Sequence, residues 1–219
     1  MKKLLLTFAI LLMASPAAAQ LIITGVMDGP LSGGVPKLVE LYACDDIPDL
    51  SIYGLGCANN GGGTDGVEFT FPADAMGAGT YIYVESLAAT NPTAFFDYMG
   101  FSPNYDGGFA VGTNGDDAIE LFYVGGTEPV VVDVFGDINA DGTGLGWDYL
   151  DGWVKRISGT GPDGSTFVES NWTYSGANAN DGCLTNDTCT SVFPVGGYTC
   201  NPVVGVEQGT WGAVKSLFK

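Results

Sequence analysis

The sequence predicts an all-β protein, an antiparallel β-sandwich. Two observations carry this. Short runs rich in Val, Ile, Tyr and Phe alternate apolar and polar residues with a period of two. Gly, Asn and Asp turns separate them, and 34 of the 219 residues are Gly, more than twice the ~7% of an average soluble protein. No strand–helix–strand alternation is visible, so a parallel nucleotide-binding sheet is not expected.

The elements follow in order. Leu21–Val26 and Lys37–Ala43 are the first two strands. Val67–Phe71 sets Val67, Phe69 and Phe71 against Glu68 and Thr70. Thr80–Glu85 puts Ile82 and Val84 on one face, and Ala118–Val124 does the same with Ile119, Leu121 and Tyr123. Val130–Phe135 aligns Val130, Val132 and Val134. Trp153–Ile157 is a further strand and Thr166–Val168 a weak one. Gly125-Gly126 and Thr127-Glu128-Pro129 form the loop of an antiparallel pair. Gly56–Gly66 is Gly- and Asn-rich but lacks the Lys-Ser/Thr of a phosphate loop, and reads as a surface loop. Asn91-Pro92 starts a short helix over Thr93–Met99. Thr210–Phe218 spaces Trp211, Val214 and Phe218 as a C-terminal amphipathic helix.

The first residues place the chain. Lys2 and Lys3 precede a ten-residue apolar run, Leu4 to Met13, and then Ala17-Ala18-Ala19. This is the pattern of a signal peptide over residues 1–19, cut before Gln20. Ten residues fall short of the ~20 that span a bilayer. The expected product is secreted or held at the cell surface, with no membrane span. Residues 20–175 make the sandwich, 176–205 a loosely ordered Cys-containing extension, and 206–219 an amphipathic tail.

Composition excludes several chemistries. The chain has no His, so a Ser-His-Asp triad, a Cys-His nucleophile and a His-ligated zinc are ruled out. Loss of Lys2 and Lys3 leaves 5 cationic side chains against 25 Asp and Glu, a net −20. That balance argues against nucleic acid as a partner. Export favours disulfides among Cys44, Cys57, Cys183, Cys189 and Cys200. The expected pairing is Cys44–Cys57 plus one bridge in the C-terminal cluster, with one thiol left over.

Three constellations could carry chemistry. Asp137, Asn139, Asp141 and Thr143, with Asp148 at the twelfth position, match half of a calcium loop. The alternative is a solvated turn in which Asp caps nearby amides. Glu40, Glu120 and Asp133 interrupt apolar strands, and Arg156 is the one arginine. A structural ion pair between Arg156 and one of these carboxylates explains both better than paired acid–base catalysis. Asn114-Gly115-Asp116-Asp117 reads as a tight turn or a second metal site. Trp147, Tyr149, Trp153 and Trp172 are core residues or stacking surfaces, and Asn171 and Asn186 head glycosylation sequons.

Several stretches, in order, resemble the bacterial branch of the lamin-tail domain family. They are LIITGVMDGP, PKLVELYACDDIPDLSIYGL, TNGDDAIELFYVGG, VVVDVFGDI, WDYLDGWVKRI and SNWTYSGANANDG, covering roughly residues 21–182. The opening at Lys37–Leu55 departs from the family pattern at Ala43, where Asn is usual. The resemblance implies an immunoglobulin-like sandwich and an exported, non-enzymatic interaction or adhesion module. Its partner would be a protein or carbohydrate at the cell surface. The alternatives are a self-associating structural component of the envelope or an extracellular assembly, and an accessory to a secreted hydrolase or nuclease. The ending TWGAVKSLFK resembles short sorting tails of exported bacterial proteins.

Overall fold

The computed structural model describes residues 20–86 and 91–200. Its organising strand is β1, Leu21–Leu31, in which the first nine residues are all buried. A strand buried on both faces reads as a continuous apolar run rather than an alternation, and LIITGVM does. β1 turns at Gly33 and Gly34, both at positive φ, into β2, Val35–Ala43. The two strands pair from Leu21↔Ala43 to Leu31↔Val35.

Two sheets follow. The larger adds β5 (Tyr81–Ser86), β6 (Tyr105–Asp106), β9 (Gly152–Arg156) and β10 (Trp172–Tyr174), in the order β10-β9-β1-β2-β5-β6. The smaller runs β4-β3-β7-β8, with β3 Tyr53–Ala58, β4 Phe69–Thr70, β7 Ala118–Tyr123 and β8 Val130–Phe135. Every pairing is antiparallel except β5 with β6. Ile23, Val39, Leu41, Ile82 and Val84 from one sheet meet Leu55, Ile119, Leu121 and Phe135 from the other in the main core. This is an all-β sandwich.

Four sequence expectations need correction. Thr166–Val168 is loop, and the strand falls at Trp172–Tyr174, where Trp172 pairs with Arg156. β3 lies partly in the stretch read as a surface loop, because Gly54 and Gly56 interrupt its apolar pattern. Those glycines are needed because the chain folds back across this face. A Cβ at Gly54 would sit 2.7 Å from the Phe69 carbonyl oxygen, and one at Gly56 only 2.1 Å from that of Gly66. The short helix α1 spans Ala94–Met99, preceded by Thr93, whose hydroxyl donates to Asp97, and closed by Gly100 in the left-handed region.

The third correction concerns the Cys-containing extension, which is firmly packed up to residue 200. It lies on the outer face of the larger sheet. Phe193 is fully buried against Met27 and Leu38, together with Phe95 and Tyr98 of α1. The Asn186 amide donates to the Tyr98 carbonyl at 2.8 Å, and the Tyr198 amide to the Tyr81 hydroxyl at 2.5 Å. Covering this face buries β1 and β2 on both sides. The leader, the rest of the extension and the amphipathic tail lie outside the described residues.

The disulfides are Cys44–Cys200 and Cys183–Cys189, and Cys57 is free and buried. The expected Cys44–Cys57 bridge is therefore wrong. Cys57 sits on β3 inside the main core, whereas Cys44 follows β2 in the opposite sheet. Burial, then the nearby Asp117, Glu68 and Asp65 carboxylates, push the Cys57 thiol up, which leaves it unreactive while the core is closed.

Alkylation of the native protein should leave Cys57 unlabelled, and alkylation in denaturant should modify that one thiol; peptide mass mapping distinguishes the two. Cys200→Ser should lower unfolding free energy by about 2–5 kcal/mol in urea titrations, since it opens a long covalent loop.

Candidate functional site

The charged side chains of the sandwich fall into buried networks. Arg156 leaves β9 with a fully buried side chain. Its Nη2 donates to both oxygens of Asp133 at 2.7 and 2.8 Å, and its Nη1 to Asp163 at 2.7 Å. Its Nε donates to the Ile23 carbonyl at 2.6 Å, and its face lies 4.2 Å from the Trp172 ring centroid. Asp133 also accepts from the Ile23 amide at 2.9 Å and the Asp163 amide at 3.0 Å. The reason is topological. β1 pairs with β9 only over Gly25–Asp28, and β1 shifts register between Ile23 and Gly25. The backbone of Ile23 is satisfied there by two side chains instead of a strand. Burial pushes the Asp133 carboxyl up, while the guanidinium and the two amides hold it down.

Glu40 forms a second network on the outer face of β2. It accepts from Lys155 in a close ion pair, from the Thr24 hydroxyl at 2.5 Å and from the Gly196 amide at 2.8 Å. Burial lowers the Lys155 ammonium, and Glu40 opposes that shift. The Lys155 Nζ also sits 5.2 Å from the Phe193 ring centroid. A third pair joins Asp28 to Lys37 at 2.6 Å, and Asp28 accepts from the Asp151 amide at 3.3 Å. Burial carries the Asp28 carboxyl up to about 6, against the pull of Lys37. Of the three carboxylates singled out in the sequence, Asp133 takes Arg156 and Glu40 takes Lys155. Glu120 has no cationic partner among the described residues.

Three loops gather at one end of the sandwich, residues 59–66, 113–117 and 136–150. They meet through backbone amides that donate to a carboxylate and to backbone carbonyls. Asn60 donates its amide to Asp117 at 2.8 Å, Gly63 to the Ile138 carbonyl at 2.8 Å, and Gly142 to the Asp116 carbonyl at 2.9 Å. Gly115 at positive φ leaves no room for a side chain, since a Cβ would lie 2.3 Å from Leu150 Cα. Asp137 accepts the Asn139 amide, Asp141 the Thr143 amide, and Asp148 the amides of Gly144 and Leu150. Thr143 turns its hydroxyl to Asp116 at 2.8 Å. Each carboxylate of the calcium-like loop thus holds its own turn, and no three Asp, Glu, His or Cys side chains cluster as a metal group among the described residues. Beside this loop, Gly136–Asn139 and Ser165–Phe167 line a small open cleft of about 240 Å³.

The aromatic residues are largely spent inside. Trp147, Tyr149 and Trp172 are buried, and the half-buried Trp153 donates its indole N–H to the Ser191 carbonyl at 3.1 Å. Both sequon asparagines are engaged, Asn186 with Phe193 backbone and Asn171 with Asp163. The acidic rim of the loop end is what the chain presents to solvent there: Asp65, Asp137, Asp141 and Asp148 sit at or near the surface.

No family model, curated protein or solved structure matches this chain.

Arg156→Met should cost about 3–5 kcal/mol in urea unfolding, because it leaves Asp133 buried and uncompensated. Adding Asp133→Leu should recover part of that loss. The Asp28 carboxyl holds its proton to higher pH in the folded state than when unfolded. Its contribution therefore falls as pH rises from 3.8 to about 6. Asp28→Asn should remove this slope, which amounts to about 2–3 kcal/mol, from unfolding midpoints measured across that window.

Proposed function

We propose that the chain is an exported, non-catalytic interaction or adhesion module of lamin-tail type, built on an immunoglobulin-like sandwich and held at the cell surface or secreted. The observation that carries this reading is the loop end. Three Gly- and Asp-rich loops are locked together by backbone amides bonded to carbonyls and to the Asp117 carboxylate, and display an acidic rim on a double sheet. Binding loops positioned by a rigid scaffold are the usual way a sandwich recognises a partner. Supporting facts are consistent with export. Two disulfides tie the chain, as oxidising compartments permit, and among the described residues no helix is long and apolar enough to cross a membrane. Asp133 and Glu40, the carboxylates a hydrolase would need free, are committed to Arg156 and Lys155. The chain's partner is a protein or carbohydrate of the cell surface.

The test is binding of the labelled mature chain to intact cells of its source, before and after protease or periodate treatment. Saturable binding lost after one treatment is expected, with no turnover of nuclease, phosphatase or glycosidase substrates. Turnover that survives purification, or unsaturable binding, would overturn the reading.

A further inference from the structure

Glu120 is a buried core-strand carboxylate that the ion-pair networks leave out, as is Glu85 on β5. It sits in the middle of β7, opposite Gly56 of β3 and Val134 of β8. Its neighbours Ile119 and Leu121 point into the main core, so Glu120 points to the outer face of the smaller sheet. The loop after β3 folds back over it there. The Gly66 carbonyl rests where a Gly56 side chain would be, so the loop backbone lies directly on the sheet beside Glu120. Glu120 is 2% exposed, and its Oε2 has no hydrogen-bond partner among the described residues. Burial pushes the Glu120 carboxyl up; the nearby Thr64 side chain opposes that shift and the Asp65 carboxylate adds to it.

No cation among the described residues serves this site. Lys37 is paired with Asp28, Lys155 with Glu40, and Arg156 with Asp133 and Asp163, which accounts for every Lys and Arg among the described residues. A buried carboxylate is costly when charged, and either a proton or a bound positive charge relieves it. The donors are all oxygen, which suits a hard ion and not a soft one.

We propose that Glu120, Asp65, Thr64 and the Gly66 carbonyl form a calcium site that clamps the 59–68 loop onto the smaller sheet. Glu120 is the buried anchor and Asp65 the solvent-side ligand, with water completing the shell. Two carboxylates neutralise the ion. The site is distinct from the Asp137–Asp148 loop, whose carboxylates accept their own backbone amides. It also stands apart from the adhesion reading, since a clamp of this kind serves any function of the loop end.

The experiment is titration calorimetry of the mature chain, stripped with EDTA, against calcium chloride, with magnesium chloride as a second arm. Thermal melts in the same buffers accompany it. One calcium site with a dissociation constant on the order of 10⁻⁴–10⁻³ M is expected, as in extracellular modules, together with a calcium-dependent rise in melting temperature. Glu120→Gln and Asp65→Asn should each weaken binding at least tenfold. Both should melt in EDTA no lower than the parent, which separates lost binding from lost folding. Asp137→Asn should bind like the parent. No heat and no melting shift in the parent chain would overturn the proposal. So would unchanged affinity in both Glu120→Gln and Asp65→Asn, or loss of binding in Asp137→Asn alone.

Discussion

The structure depends on one guanidinium. Arg156 and Asp133 meet where the two sheets come together and β1 has lost its β9 partner while still paired with β2. Between them they satisfy the amide and carbonyl of Ile23, as well as the amide and carboxylate of Asp163. A sandwich normally holds its sheets together by apolar contact alone. Here a fully desolvated, multiply hydrogen-bonded pair also fixes how far β8 stands from β1. An ion pair of this kind adds little net stability over an apolar replacement. What it supplies is geometry: the donors and acceptors match in only one arrangement of β1, β8, β9 and the 161–163 turn. Gly161 lies tight against the guanidinium, so even the turn that carries Asp163 is shaped around it.

The second constraint is coverage of the larger sheet on its far side. Residues 176–200 do the work that a third layer would do. They bring Phe193 over Gly25, where a Cβ would lie 2.7 Å from the ring. They also bring the Gly196 amide to Glu40. Lys155 and Glu40 then lie inside the protein, flanked by Phe193 and Tyr81. The extension therefore converts an amphipathic surface into an interior, and its polar residues are matched to that role by specific hydrogen bonds.

Much of the sandwich was legible because its strands obey simple patterning. Ala118–Tyr123 and Val130–Phe135 alternate visibly, and β1 shows the unbroken apolar run of a doubly buried strand. What patterning could not show was anything decided by contact between distant segments. β3 hides behind Gly54 and Gly56, whose meaning is the chain crossing above them. The Cys44 partner could not be read from spacing, because proximity along the chain says nothing about which sheet a cysteine joins. At the loop end, the Asp137–Asp148 spacing was visible but not its use; alternate Asp and Asn residues suit a cation and an amide-capped turn equally well. Glu120 and Asp133 looked alike in sequence, each a carboxylate in an apolar strand. They differ because Glu120 is on the outer face under a glycine loop, while Asp133 meets the arginine at the seam between the sheets.

The Cys44–Cys200 bond has a mechanical consequence. Cys44 follows directly on β2, and its amide donates to the carbonyl of Gln20 at the start of β1. Tension applied between the chain's beginning and any point beyond Cys200 therefore passes through residues 20–44 and crosses the sulfur bridge. The chain between the two cysteines, which lie 156 positions apart, includes both networks' partners on β8 and β9 and the whole loop end, and sits outside the line of pull. Drawn from its two ends, the molecule would strain a single hairpin while its presented loops stayed slack.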